Sequence, residues 1–394
     1  MPNVINFANA FIDHLFDGSH FLRTDFDANG HYFKNPAGIG GADGDKILFC
    51  DDAADFQAIV EAAANKTVWV MPGVYVVSVD AKLDPISVPA NCTILAYGCE
   101  FQFRFTNAGG AWNNRIFNVA NKGCSFQGGT YWIDRANSAE AEARRLFYIY
   151  NSADPLFLKC TMANSSGREA LIITGAGTRA VCVGCQFVPQ QNTYTDNSYV
   201  TITEGGAVDV PGCAFDGYFP GTSTRRCNGG IGISTQNTRS VIKGATFKHF
   251  LSGIAVTQYN WGADQHYVHI TNNDFLDNDM AVRLSNVNTG RNLYDLVIEN
   301  NMMRGGHASY GQIEAIFSTY HSIGFKRLVI RNNHHIAVGA ATAKYGIYIP
   351  SAGTSPNTTE IMELSGTFGT GFGTSQINIH ADIPIGRKSI ILES

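Results

Sequence analysis

One pattern recurs between Cys99 and Gly366 and limits what this chain can fold into. A small or amide residue stands two places before a large one. The pairs are Cys99/Phe101, Cys124/Phe126, Cys160/Met162, Cys185/Phe187, Cys213/Phe215, Ala245/Phe247, Asn273/Phe275, Asn301/Met303, Asn333/His335 and Gly366/Phe368. Successive large residues are separated by 25, 36, 25, 28, 32, 28, 28, 32 and 33 positions. A period of this length signals a solenoid or a repeat array. Short alternating strands precede the pairs, as in Leu328-Val329-Ile330, Leu296-Val297-Ile298 and Val268-His269-Ile270. Second strands follow them, as in Gly253-Ile254-Ala255-Val256 and Gly346-Ile347-Tyr348-Ile349. Period-two alternation points one side chain in two inward.

These features predict an all-β fold, a single parallel β-helix of about ten or more coils. Strands would stack ~4.8 Å apart, with like residues on like. The Phe/Met column would form the core. The Cys-to-Asn column would sit at a turn, where small residues fit and amides bond along the stack. No coil can bury its inner face alone, so neighbours stabilise one another. The 36-residue spacing is read as a polar helical insertion at Ser138 to Arg145.

Only 15% of the residues are charged, the net charge is −5 and Gly is abundant at 41 residues. That balance suits strands and tight turns, and the lack of a basic block argues against nucleic acid as a partner. Nine cysteines are an odd number for a disulfide framework. Five occupy the turn column, where they act as small buried residues. The start of the chain has neither a basic n-region nor a long apolar run, so neither a signal peptide nor membrane insertion is expected. The expected location during folding is the cytoplasm. Asp43 and Asp45 lack the downstream Glu of a calcium loop, Cys182-x-x-Cys185 lacks a second pair for zinc, and no cofactor or metal is expected.

Residues 1–50 carry an apolar stripe at helical spacing, from Val4 to Phe16, followed by Gly/Asp/Asn-rich loops. They are read as a separate segment for docking or trimerisation, and residues 51–394 as the β-helix. A helix is expected over 51–64, capped by Asp51 or Asp52, with Phe56, Ile59, Val60 and Ala63 on one face. It would cover the open edge of the first coil.

The run Asp51-Asp52-Ala53-Ala54-Asp55-Phe56-Gln57-Ala58-Ile59, followed by Thr67-Val68-Trp69-Val70-Met71-Pro72-Gly73-Val74-Tyr75, resembles the opening of the pectate-lyase-superfamily β-helix. The resemblance is specific over residues 50–80 and implies a right-handed parallel β-helix with an N-terminal capping helix. That superfamily holds polysaccharide lyases, glycoside hydrolases, epimerases, fructotransferases and bacteriophage tailspikes. Of these the chain looks most like a tailspike depolymerase body, which implies a homotrimer and a surface polysaccharide as partner. The motif carries no catalytic residue that maps onto this chain.

Candidate chemistry comes from stacking alone. If Val282/Leu284, Ile313/Ala315 and Ile347/Ile349 point inward, then Arg283, Glu314 and Tyr348 form an outward row within about two rungs, ~10 Å. Loops leaving that face add Tyr259, Trp261, Asp264 and His266, and the next coils add His307, Tyr320 and His321. Rings and amides of this kind suit a sugar groove. A hydrolase needs two carboxyl groups, for which Glu314 pairs with Asp264 or Asp295. A lyase needs a base, Tyr348 or His321, and a cation such as Arg283 to stabilise the enolate. A spike that binds without cleaving, or a β-helix epimerase or transferase, fits the same pattern.

Overall fold

The computed structural model describes residues 47–393 apart from 81–83, 107–113, 135–136, 138–143, 165–168, 190–197, 218–226, 235–239, 259–264, 287–291, 308, 318–323, 338–342, 350–357, 369–371 and 380–384. The expected N-terminal stripe and the acidic run at Asp43 therefore lie outside the described residues.

Every pairing between the named strands is parallel, and the chain winds through three faces per turn. The coil that begins at Thr67 shows the plan. Thr67–Val70 lies on the first face, Gly73–Val79 on the second and Ile86–Val88 on the third. The first face is a seven-stranded sheet, so the three-faced arrangement runs through seven successive turns. It opens with Ile47–Cys50, which pairs with Thr67–Val70, so the stack begins before residue 51. The third face has 11 strands, from Ile86–Val88 to Ser375–Ile379. The second face belongs to a 15-stranded sheet. That sheet also takes in a continuation of the first face, because the long strand Gly324–Ile336 bends round the corner between the two.

The core is one continuous apolar cluster running the length of the stack. Its main column is Tyr75, Phe101, Tyr131, Met162, Phe187, Phe215, Phe247, Phe275, Met303 and His335, each the register partner of the next. The rings stack at 5.0 Å for Phe101 with Tyr131 and 4.3 Å for Phe187 with Phe215. This corrects one expected pair. Cys124/Phe126 belongs to the first face, where Phe126 lies between Ile94 and Phe157. Gly129/Tyr131 fills its place, and the intervals from Phe101 to Tyr131 to Met162 become 30 and 31 residues. No insertion is needed to explain a long spacing. Arg144 and Arg145, expected at the end of a helical insertion, start the strand Arg144–Ile149.

The helix expected over 51–64 spans six residues, Phe56–Glu61, with Phe56 and Val60 buried. Asp55 is its N-cap and makes no side-chain capping bond, while Asp52 Oδ1 accepts the Ala54 N–H at 2.9 Å. The expected capping residues, Asp51 or Asp52, are therefore displaced from the helix start.

The corner between the first and second faces carries the Cys-to-Asn column. Cys99, Cys160, Cys185 and Cys213 are buried there, and each thiol donates to a carbonyl of the preceding coil. From Asn273 onward amides replace the thiols. Asn301 Oδ1 accepts the Asn273 N–H and an Asn273 Nδ2 hydrogen at 3.0 and 3.1 Å. Asn333 Oδ1 accepts the same two groups of Asn301 at 3.0 and 2.9 Å. Each amide also donates Nδ2 back across the corner, to Ile242, Ile270 and Ile298 carbonyls.

Candidate functional site

The outward surface of the third face follows from its register. Arg283 on Met280–Asn286 is the partner of Glu314 on Gly311–Phe317, and Glu314 is the partner of Tyr348 on Tyr345–Ile349. Val282, Leu284, Ile313, Ile347 and Ile349 are buried. The three candidates thus occupy one longitudinal row at adjacent rungs, as the alternation predicts. Asn378 continues it beyond Tyr348, and Ala255 precedes Arg283.

Arg283 is half-buried, and its Nε has no hydrogen-bond partner among the described residues. That nitrogen is itself shielded from solvent, so a ligand oxygen would meet the guanidinium only at its terminal nitrogens. Tyr348 stacks on Tyr345, ring centroids 4.4 Å apart, and the Lys344 ammonium lies 5.3 Å from the centre of the Tyr345 ring. The main chain at Lys344 is fixed by the turn before it. Its N–H is shared by the carbonyls of His307, at 3.3 Å, and Tyr310, at 2.9 Å. The rings of His307 and Tyr310 lie 5.1 Å apart. His307 is therefore at the corner that leads into the row. Tyr345 and Lys344 were not among the sequence candidates. Their alignment depends on turn geometry, although the Lys344-Tyr345 pair ahead of an apolar strand was a readable signal.

Other candidates fall elsewhere. His266 pairs with Tyr294 on the continuation of the first face, so it does not share the sheet of Arg283. Asp295 is on that face too, and its carboxylate is 3.6 Å from Arg327. Asp295 is therefore not a second carboxylate for Glu314. Tyr259, Trp261, Asp264, Tyr320 and His321 lie outside the described residues. Among the described residues no group of three or more His, Cys, Asp or Glu could hold a metal ion, and no helix is long and apolar enough to cross a membrane.

The architecture can be compared with solved structures. A mutant tailspike protein of E. coli bacteriophage HK620, solved with a pentasaccharide, superposes with a TM-score of 0.61 over 93% of this chain, at 12% identity. Another mutant of that tailspike, also with a pentasaccharide, gives 0.62 over 98% of this chain and 68% of its own, at 13% identity. The fold shared with that tailspike is a parallel β-helix. A family 28 exopolygalacturonase of Yersinia enterocolitica shares this β-helix, with a TM-score of 0.58 at 10% identity, covering 88% of this chain and 78% of that one. The chain spans 64% of the length of the first tailspike. No protein-family model matches it, and no curated protein matches it in sequence. At these identities the likeness is one of β-helix architecture.

Proposed function

We propose that this chain is a carbohydrate-active β-helix that binds an extended polysaccharide along its third face and cleaves it beside Glu314. The observation that carries the reading is the register Arg283–Glu314–Tyr348, in which the half-buried Tyr348 ring is backed by the buried ring of Tyr345. An aromatic platform takes the apolar face of a sugar ring, and a cation one rung from a carboxyl group can hold an anionic oxygen during bond breaking. In a lyase, Arg283 stabilises the enolate of a uronate and Tyr348 or His321 takes the proton. In a hydrolase, Glu314 needs a second carboxyl group within about 5–9.5 Å, for which Asp264 is the sequence candidate. The row offers a single carboxylate position among its described residues, which favours the lyase or a spike that binds without cleaving over the hydrolase. As in tailspikes, the working unit is a homotrimer on a virion tail; a monomeric mass in solution overturns that part.

Product analysis on a panel of bacterial and algal polysaccharides tests the whole. Chain length, new reducing ends and the ultraviolet absorbance of unsaturated uronides are followed together. Arg283→Gln should lower cleavage by roughly 100-fold or more in a lyase, and Glu314→Gln should do so in a hydrolase while sparing binding. Cleavage with new absorbance identifies a lyase, and cleavage without it a hydrolase. Binding without cleavage identifies the non-catalytic spike. Full cleavage by Glu314→Gln removes Glu314 from the mechanism.

A further inference from the structure

The first face differs from the other two in what it turns outward. Ile94, Phe126, Phe157 and Cys182 point from its strands into the core. The alternate positions form two outward rows. One runs through Leu95, Gln127, Leu158 and Val183, the other through Thr93, Ser125, Leu156 and Val181, each residue the register partner of the next. The five aliphatic members are half-buried rather than buried. The five strands from Ile47–Cys50 to Leu156–Leu158 carry no charged residue. The second face, by contrast, turns out Glu100, Gln102 and Arg104 from a single strand. The apolar stripe ends at an ion pair, where Arg179 Nε is 2.6 Å from Asp209 Oδ2.

Beyond Asp209 the same face changes character. On its continuation His269 Nε2 is 2.8 Å from Glu299 Oε1, and Arg331 Nε is 2.6 Å from Glu299 Oε2. Arg331 also lies 3.9 Å from Glu363. The face therefore has an apolar half and an ionic half, and the ionic half holds both signs.

Covering an apolar stripe is favourable, and its texture restricts what can cover it. Its side chains stand in ridges ~4.8 Å apart, and a second stack of the same coils has ridges at the same spacing. Two such stacks side by side can interlock at every rung, whereas a helix with a pitch of ~5.4 Å falls out of step. The extent also fits. The seven strands of this face and the six of its continuation make a contact ~58 Å long. With a width of about 10–13 Å, each copy offers about 600–750 Å² of flat area, of the order a specific interface needs. Direction matters as well. Copies running the same way set the apolar rows on themselves and the mixed-sign band on itself. Fully overlapped copies running opposite ways set Leu158 against charged groups and strip those charges of water.

We infer that the first face is the surface through which copies of this chain assemble, side by side, with axes parallel and rungs level. The rows Leu95–Leu158–Val183 and Leu156–Val181 then meet around the symmetry axis, and the third face with its Arg283 row stays on the outside. The inference rests on the homotrimer reading above and names the surface and the direction by which the subunits join.

Mass and cross-linking of the full chain are the test. By light scattering the natural chain should give a multiple of 42.7 kDa. Leu158→Arg should weaken association by roughly 100-fold or more and give the single-chain mass. Val76→Arg, on the second face at a position already 37% exposed, should leave the mass unchanged. Two cysteine variants read the direction. Leu95→Cys and Val183→Cys stand three rungs apart, ~14 Å. With a short bis-maleimide linker, parallel copies should cross-link within each variant, over a baseline set by the natural chain, whose described cysteines are all buried. Circular dichroism and melting temperature establish that the variants are folded; if Leu158→Arg fails to fold, the cysteine variants decide. An assembly unchanged in Leu158→Arg overturns this surface and leaves the homotrimer reading standing. Cross-links that form only when Leu95→Cys and Val183→Cys are mixed overturn the parallel arrangement. A natural chain of single-chain mass overturns both the surface and the homotrimer.

Discussion

The two halves of the stack solve one structural problem with different chemistry. At the corner between the first and second faces, the early coils place buried thiols and the late coils place buried amides. Cys185 gives one donor, its thiol to the Phe157 carbonyl at 3.4 Å. Asn301 accepts two hydrogen bonds from Asn273 and donates to Ile270 and to Asn333. A thiol fills space and bonds weakly. An amide ties three consecutive coils together, but it also leaves several groups stranded if one member is lost. The same contrast holds in the core. The early column is stacked rings, whereas the late column includes the buried His335, whose Nδ1 lies 3.0 Å from Gln312 Oε1. Gln312 Nε2 in turn donates to the carbonyls of Met303, Gly305 and Ile336. The late half is therefore the more specified and the less forgiving.

The sharpest way to break this contrast is to remove one member from each half. Asn301→Ala leaves the Asn273 N–H, the Ile270 carbonyl and Asn333 Oδ1 short of partners, and should cost about 4 kcal/mol or more. Cys185→Ala loses a weak bond and a small volume, and should cost about 1–2 kcal/mol. Guanidinium midpoints and unfolding rates of the two variants side by side decide the matter. Equal losses would mean that the amide ladder adds nothing beyond filling the corner.

Acid should act on the late half next. Burial pushes the pKa of His335 down to about 3. The unfolded chain takes up a proton near pH 6.5 that the folded chain refuses. Stability from this group is therefore complete above that pH and falls as the pH drops toward 3, by on the order of 4 kcal/mol in all. Carboxylates contribute in the same direction, so the reading comes from a difference. Urea midpoints from pH 7.5 to pH 4 should fall more steeply for the natural chain than for His335→Phe. Parallel slopes would show that His335 is protonated or solvated in the folded state.

The smallest effect sharpens the boundary between the halves. Ala245 stands where the ladder begins, and its N–H already donates to Asn273 Oδ1 at 3.0 Å. Ala245→Asn should extend the ladder by one rung and stabilise by about 1 kcal/mol, read from the same midpoints. Destabilisation would show that the thiol-lined coils are too tightly packed to accept an amide.

Much of this was legible in the chain itself, for physical reasons. Alternation of β-branched residues fixes which side chains face the core, and so the row Arg283–Glu314–Tyr348 could be read before any coordinates. The turn column could be read because stacked amides repeat at coil spacing. The Cys124/Phe126 assignment failed because two faces of one solenoid carry the same small-x-large pattern. Nothing local separates Phe126 on the first face from Tyr131 on the second. The helix was overextended because Asp51 and Asp52 are sound capping types, yet the turn takes Asp52 for the Ala54 N–H instead. His266 and Asp295 were misplaced for a related reason. Each lies close in sequence to the candidate row, but a corner of the solenoid intervenes.

That register behaves like the scale of a vernier. Each turn of the chain contributes one graduation to every row, so gaining or losing a whole turn would slide all later rungs by a single fixed step of ~4.8 Å, without disturbing the coils on either side. Point substitutions act on a single rung. Duplication or deletion of a turn would instead change how far apart two distant rungs stand, a discrete adjustment that a fold built on one closed core does not have.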